Sequence, residues 1–163
     1  MNSRTFRLLP QDEFLRDNIQ AEDVLIVSIG GNDIALMPAP CTIASILGLL
    51  CLPRRIMEWG KAFWVAPVQD CCCGCGPSLL SCLGSCPPCL GYLCHLFGTR
   101  VQHYISKLVS KTKPKLVLVC MIYYPDENHV PSWANTALGA LGYNSNPEKV
   151  QCMIRKVFSE ATR

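Results

Sequence analysis

Two short, uncharged runs, apolar but for Ser28, constrain this chain more than anything else in it. Residues 24–29 (VLIVSI) are β-branched and stop abruptly at Gly30-Gly31, and residues 116–123 (LVLVCMIY) follow the breaker Pro114. Neither alternates polar with apolar positions, so each is expected to be a strand buried on both faces of a parallel sheet. The second is preceded by an amphipathic segment in which Val101, Tyr104, Ile105, Leu108 and Val109 recur at i, i+3, i+4, i+7 and i+8. Thr99 and Gln102 form an expected capping box at its start. Strand, helix and strand in that order predict a right-handed βαβ unit.

Two more helices complete the periodic part. Residues 11–19 predict a short helix that leads through Gln20-Ala21-Glu22-Asp23 into the first strand. Near the end, Asn146 is the expected N-cap and Pro147 the first helical residue, with Val150, Met153, Ile154, Val157, Phe158 and Ala161 on one face. Two strands make a thin sheet, whereas sheets of this kind usually have four or more. The expected plan is therefore part of a doubly wound α/β domain.

Between the first strand and the amphipathic helix the chain changes character. In residues 34–99 only Arg54, Arg55, Glu58, Lys61 and Asp70 are charged, and eight of the twelve cysteines fall within residues 71–94. Residues 38–97 are taken as a Cys/Pro-rich insertion within a single domain spanning 1–163. Cys72/Cys75 and Cys86/Cys89 are two C-x-x-C pairs ten residues apart, which suits a tetrahedral zinc site. The same cysteines among leucines and prolines suit S-palmitoylation and peripheral membrane contact. A low-complexity loop of free thiols is the third reading, and composition leaves all three open. Trp59, Phe63 and Trp64 could wall an acyl chain or pack in a core, and residues 130–143 could form a lid or a plain connection.

The whole-chain totals exclude other classes. Charged residues are 17%, apolar residues 50% and the net charge +3, which suits neither a disordered chain nor a nucleic-acid binder. Residues 1–20 contain Arg4, Arg7, Asp12, Glu13 and Arg16 and no apolar stretch of signal-peptide length. The uncharged run at residues 41–52 is too short to span a bilayer, and the one at 79–97 holds Pro87, Pro88 and His95. A cytoplasmic protein without a transmembrane helix is expected.

The chemistry-bearing feature is the corner Gly30-Gly31-Asn32-Asp33, followed by Ile34-Ala35-Leu36. Ligands of open α/β sheets bind beyond the carboxyl ends of strands, where this corner falls. The glycines allow a close backbone approach, the Asn32 carboxamide can donate to an oxyanion, and Asp33 can brace the turn. An ordinary turn in which Asn32 or Asp33 caps the next helix is the plain alternative.

A strand followed by Gly-x-Asn-Asp and Ile-Ala-Leu resembles the third conserved block of the SGNH (GDSL-type) esterase and lipase hydrolases, over residues 15–36 and 100–125. The resemblance implies a flavodoxin-like three-layer fold with a parallel sheet, incomplete at its N-terminal end. It also implies hydrolysis of small-molecule or lipid carboxylic esters through a serine acyl-enzyme, without a cofactor or metal. Asn32 would then be the oxyanion-hole donor and Gly30 the block's glycine. Asp126-Glu127-Asn128-His129 matches the family's Asp-x-x-His, with His129 as base and Asp126 orienting it, but it follows a strand too early for the family's order. A polar loop with an exposed histidine is the alternative. His103 falls on the polar side of its helix and His95 in the insertion, neither beside an acid. No Gly-Asp-Ser occurs, and neither does the strand that would carry it. The expectation is a fragment or a degenerate homologue that is inactive as it stands. The competing class is a non-catalytic module, membrane-associated or zinc-binding, organised around the cysteines.

Overall fold

The computed structural model describes residues 7–29, 40–57, 90–122 and 147–162, together with Gly139. Among these, α1 (Pro10–Asn18) leads into β1 (Val24–Ser28), and α2 (Pro40–Cys51) is followed by the single turn α3 (Arg54–Met57). Then α4 (Leu90–Cys94), a π-helical turn (His95–Thr99) and α5 (Arg100–Leu108) run on as one helix into β2 (Leu116–Cys120), and α6 (Pro147–Ala161) closes the chain.

The two strands pair in parallel and in register, Val24 opposite Leu116 through Ser28 opposite Cys120. They form a two-stranded sheet among the described residues. Leu25 and Val27 point into a core with Leu8, Ile19 and Leu108, flanked by Tyr104, Ile105, Val109 and Val117. The helices α1 and α5 thus cover one face of the sheet, and the periodicity assigned to α5 is the face it buries. The expectation of strands buried on both sides does not hold. Val24, Ile26, Leu116 and Leu118 stand on the opposite face, and Ile26 is 64% exposed. Burial on two faces needs a layer on each. Among the described residues only one face has helices.

The start of α1 is fixed by Pro10 at its first position and by Asp12, whose carboxylate accepts the Leu9 N–H at 3.0 Å. Asp12 also accepts from the Tyr104 hydroxyl at 2.9 Å, which joins α1 to α5. After α1 the Asp23 carboxylate accepts the Gln20 N–H at 2.8 Å, closing the turn into β1.

A second core lies among helices. Ile46 and Leu49 of α2, Leu90, Tyr92, Leu93 and Cys94 of α4, Leu96 and Phe97 of the π turn, and Val150, Cys152, Met153, Ile154 and Val157 of α6 pack together. The final helix is therefore a packing helix, as its spacing predicts, although Phe158 is half exposed instead of buried. Lys149 donates to the carbonyl of Leu50, satisfying one of the orphan acceptors at the end of α2.

The capping box at Thr99 is corrected. Thr99 is itself helical, with φ −58° and ψ −45°, and makes no side-chain cap. The helix enters from residue 90, so the first N–H groups of α5 already have partners upstream: the Arg100 N–H bonds the His95 carbonyl across the wide π turn. A polar pair inside a helix mimics the pattern of a start.

Candidate functional site

The positions that carry the expected chemistry follow the carboxyl ends of the two strands. Because β1 and β2 are parallel and paired to their last residues, Ser28 and Cys120, the chain leaves both strands at the same edge of the sheet. Gly30 comes two residues after Ser28 and Asp126 six after Cys120. Gly30, Asn32, Asp126 and His129 themselves lie outside the described residues, as do Asp33, Cys71 to Cys89, Trp59, Phe63, Trp64 and the loop 130–143 apart from Gly139.

What borders that edge is the helical core. Residues 90–108 form a helix of nineteen residues, about 28 Å long, against roughly 16 Å for a five-residue strand. Its last turns pack on the sheet, and the chain then returns in seven residues to start β2 beside Val24, where Lys115 N–H donates to the Asp23 carbonyl at 2.9 Å. The excess length therefore projects past the carboxyl edge, carrying the π turn and α4 with it. Met121 and Ile122, the first residues beyond β2, are half-buried against this helical core.

The polar groups inside that helical layer are few. The hydroxyls of Thr42 and Tyr92 are 2.8 Å apart and buried, Ser45 is buried beside them on α2, and His95 is buried in the π turn. Sequence spacing placed His95 in a loop-like insertion, whereas the structure sets it within a helix. Cys94 belonged to the cysteine cluster by position. Its thiol is buried and pushed up to about 12, first by that burial and then by the negative charge of Glu160. Burial therefore favours the protonated thiol there. Cys51, Cys94, Cys120 and Cys152 are all thiols and not disulfides. Among the described residues no group of three or more His, Cys, Asp or Glu could hold a metal ion. No described helix is long and apolar enough to cross a membrane.

Sequence reasoning missed the Thr42–Tyr92 pair, which joins residues fifty positions apart, and the Asp12–Tyr104 contact, which joins residues ninety-two apart. A tyrosine in an apolar series is the one available signal for each, since a buried phenol usually finds a partner. No protein-family model, curated protein or solved structure matches the chain.

Proposed function

We propose that this chain carries the oxyanion-donor part of an SGNH-type site for carboxylic esters, on a flavodoxin-like sheet. The observation that supports it best is the parallel, in-register pairing of β1 with β2. In a flavodoxin-like sheet of order 2-1-3-4-5 the third and fourth strands are parallel neighbours, and β1 and β2 fit those two places. The corner after β1 and the Asp126-x-x-His129 segment after β2 then leave from one edge, where such sheets bind ligands.

In this reading the Asn32 carboxamide donates to the oxygen that gains charge as a tetrahedral intermediate forms, and Gly30 lets the backbone come close. His129, oriented by Asp126, is the candidate base. The nucleophile is not among these residues, because the chain contains no Gly-Asp-Ser. The substrate class is a small-molecule or lipid ester.

Two measurements test the proposal. The chain should not hydrolyse a p-nitrophenyl ester above the buffer rate. Turnover that Asn32→Ala lowers by about 10²- to 10³-fold would contradict the missing-serine argument. Titration with a short-chain carboxylate, the product class, should shift the NMR signals of the Asn32 side-chain amide and the Gly30 N–H. Shifts confined to other residues would remove the site from this corner.

A further inference from the structure

The helix α2 is built the wrong way round for a water-facing helix. Its inward face carries Thr42, Ser45, Ile46 and Leu49, at i, i+3, i+4 and i+7, and all four are buried. The hydroxyls are therefore inside, where Thr42 depends on Tyr92 for its hydrogen bond. Its outward face carries Ile43 at 41% exposure, Leu47 at 45% and the exposed Ala44 and Cys51. Ile43, Leu47 and Cys51 follow one another at four-residue steps, and no residue of the helix is charged. A helix facing water puts its polar residues outward. Here the outward residues are those that favour a non-aqueous phase.

Charge lies at one end of this stripe. No acidic residue occurs in residues 34–57, while Arg54 and Arg55 follow the helix directly and Arg55 is exposed. Lys149 of α6 reaches the same end through its bond to the Leu50 carbonyl, with the exposed Glu148 beside it in sequence. We propose that the outward face of α2 seats in the headgroup plane of an anionic lipid membrane, with Ile43 and Leu47 inserted and Arg55 against lipid phosphates and carboxylates.

Length excludes a span: twelve residues cover about 18 Å, against roughly 30 Å of hydrocarbon. Among the described residues the stripe has two large side chains, far below the ~800 Å² per partner of a stable protein interface, so area does not favour a second copy. Shallow insertion beside basic residues needs no such area. The inference is independent of the ester-hydrolase reading, and it places membrane contact on a helix face without requiring an acylated cysteine.

The test is co-sedimentation of the full chain, treated with hydroxylamine to remove any thioester-linked lipid. The vesicles are phosphatidylcholine alone or phosphatidylcholine with phosphatidylserine. Wild type should partition onto the serine-lipid vesicles, and Leu47→Asp should lower that partition about tenfold or more. Arg55→Glu should lower it about fivefold or more on the anionic vesicles and little on the neutral ones. Phe14→Asp, at an exposed apolar position on α1, should leave it unchanged. Circular dichroism checks that each variant folds, and Leu47→Gln replaces Leu47→Asp if that variant does not. Absence of wild-type binding, equal binding by the Leu47 variant, or equal loss in the Phe14 variant would overturn the proposal. So would loss of a dimer in the Leu47 variant with vesicle binding unchanged, which would assign the face to a second copy.

Discussion

The two cores of this protein differ in what they bury. Around the sheet, Leu8, Ile19, Leu25, Val27 and Leu108 make a wholly apolar interior, and charged residues such as Asp12, Glu13, Arg16 and Asp17 punctuate the covering helix α1. Around α2, α4 and α6 the interior includes Thr42, Ser45 and His95, while α2 presents Ile43 and Leu47 outward. Both regions also expose apolar side chains: Phe14 of α1 is 71% exposed, and Ile26 on the open face of the sheet stands free of the core as well. What distinguishes the helical core is a buried hydroxyl, that of Thr42, which finds its partner inside, in Tyr92.

The largest expected effects test whether the cores are separate. Leu49 in the helical core and Leu108 in the sheet core are both almost fully buried. Leu49→Ala and Leu108→Ala should each cost about 2–5 kcal/mol through lost burial and an unfilled cavity. Because the helix over residues 90–108 belongs to both cores, urea unfolding should remain a single transition that either substitution shifts. A two-step curve in which each variant moves a different step would show that the two cores unfold independently.

The Thr42–Tyr92 pair sharpens the contrast at a smaller scale. Thr42→Val removes one buried partner and should cost about 1–3 kcal/mol, because the Tyr92 phenol loses that hydrogen bond at a buried position. Replacing both ends with apolar groups of similar shape, Thr42→Val with Tyr92→Phe, should recover much of that loss. A double variant no more stable than Thr42→Val alone would mean that the two hydroxyls do not depend on each other.

These differences also separate what was legible in the sequence from what was not. The strands at 24 and 116 were legible as short apolar runs bounded by breakers, and the α5 face through Val101 and Leu108 and the α6 face through Val150 and Val157 as local periods. The start of the long helix was not, because Thr99-Arg100-Val101-Gln102 satisfies the local rule for a helix beginning while the chain is already helical from residue 90. The inverted face of α2 was not legible either. An uncharged run has weak amphipathic contrast, and only Tyr92, fifty residues away, shows which side holds the hydroxyls. Of the candidate site, the sequence supplied the residues Gly30, Asn32, Asp126 and His129. The expected parallel βαβ unit already implied that the chain leaves both strands at one end of the sheet, and the pairing of β1 with β2 adds the register.

Tyr104 links α1 to α5 across the sheet core and gives a pH-dependent handle on that region alone. Its phenol is pushed up to about 12 by partial burial first and by the hydrogen bond to Asp12 second. A raised folded-state value means that the neutral phenol is preferred in the native protein. The stabilisation is complete below pH ~10 and is lost as the pH rises through about 12. Tyr104→Phe should cost about 1 kcal/mol at neutral pH and flatten the alkaline limb of the stability curve. An unchanged alkaline limb would place that titration elsewhere.

The smallest expected effect lies at Asp17, which accepts from Arg16 at 2.7 Å and from Lys111 at 2.8 Å, again on the sheet side. These hydrogen bonds, Arg16 first and Lys111 second, hold its carboxyl down to about 2. Depression of an acid's folded-state value stabilises the charged form, so the contribution is present above pH ~3.8 and fades as the pH falls through about 2. The group is exposed, so salt should screen it. Asp17→Asn should shift the acid limb slightly at low ionic strength and not at all at 1 M salt. A shift that survives high salt would mean that Asp17 holds α1 to the segment after α5 by geometry instead of charge. The sheet core would then have a second fixed strut beside the Asp12–Tyr104 bond.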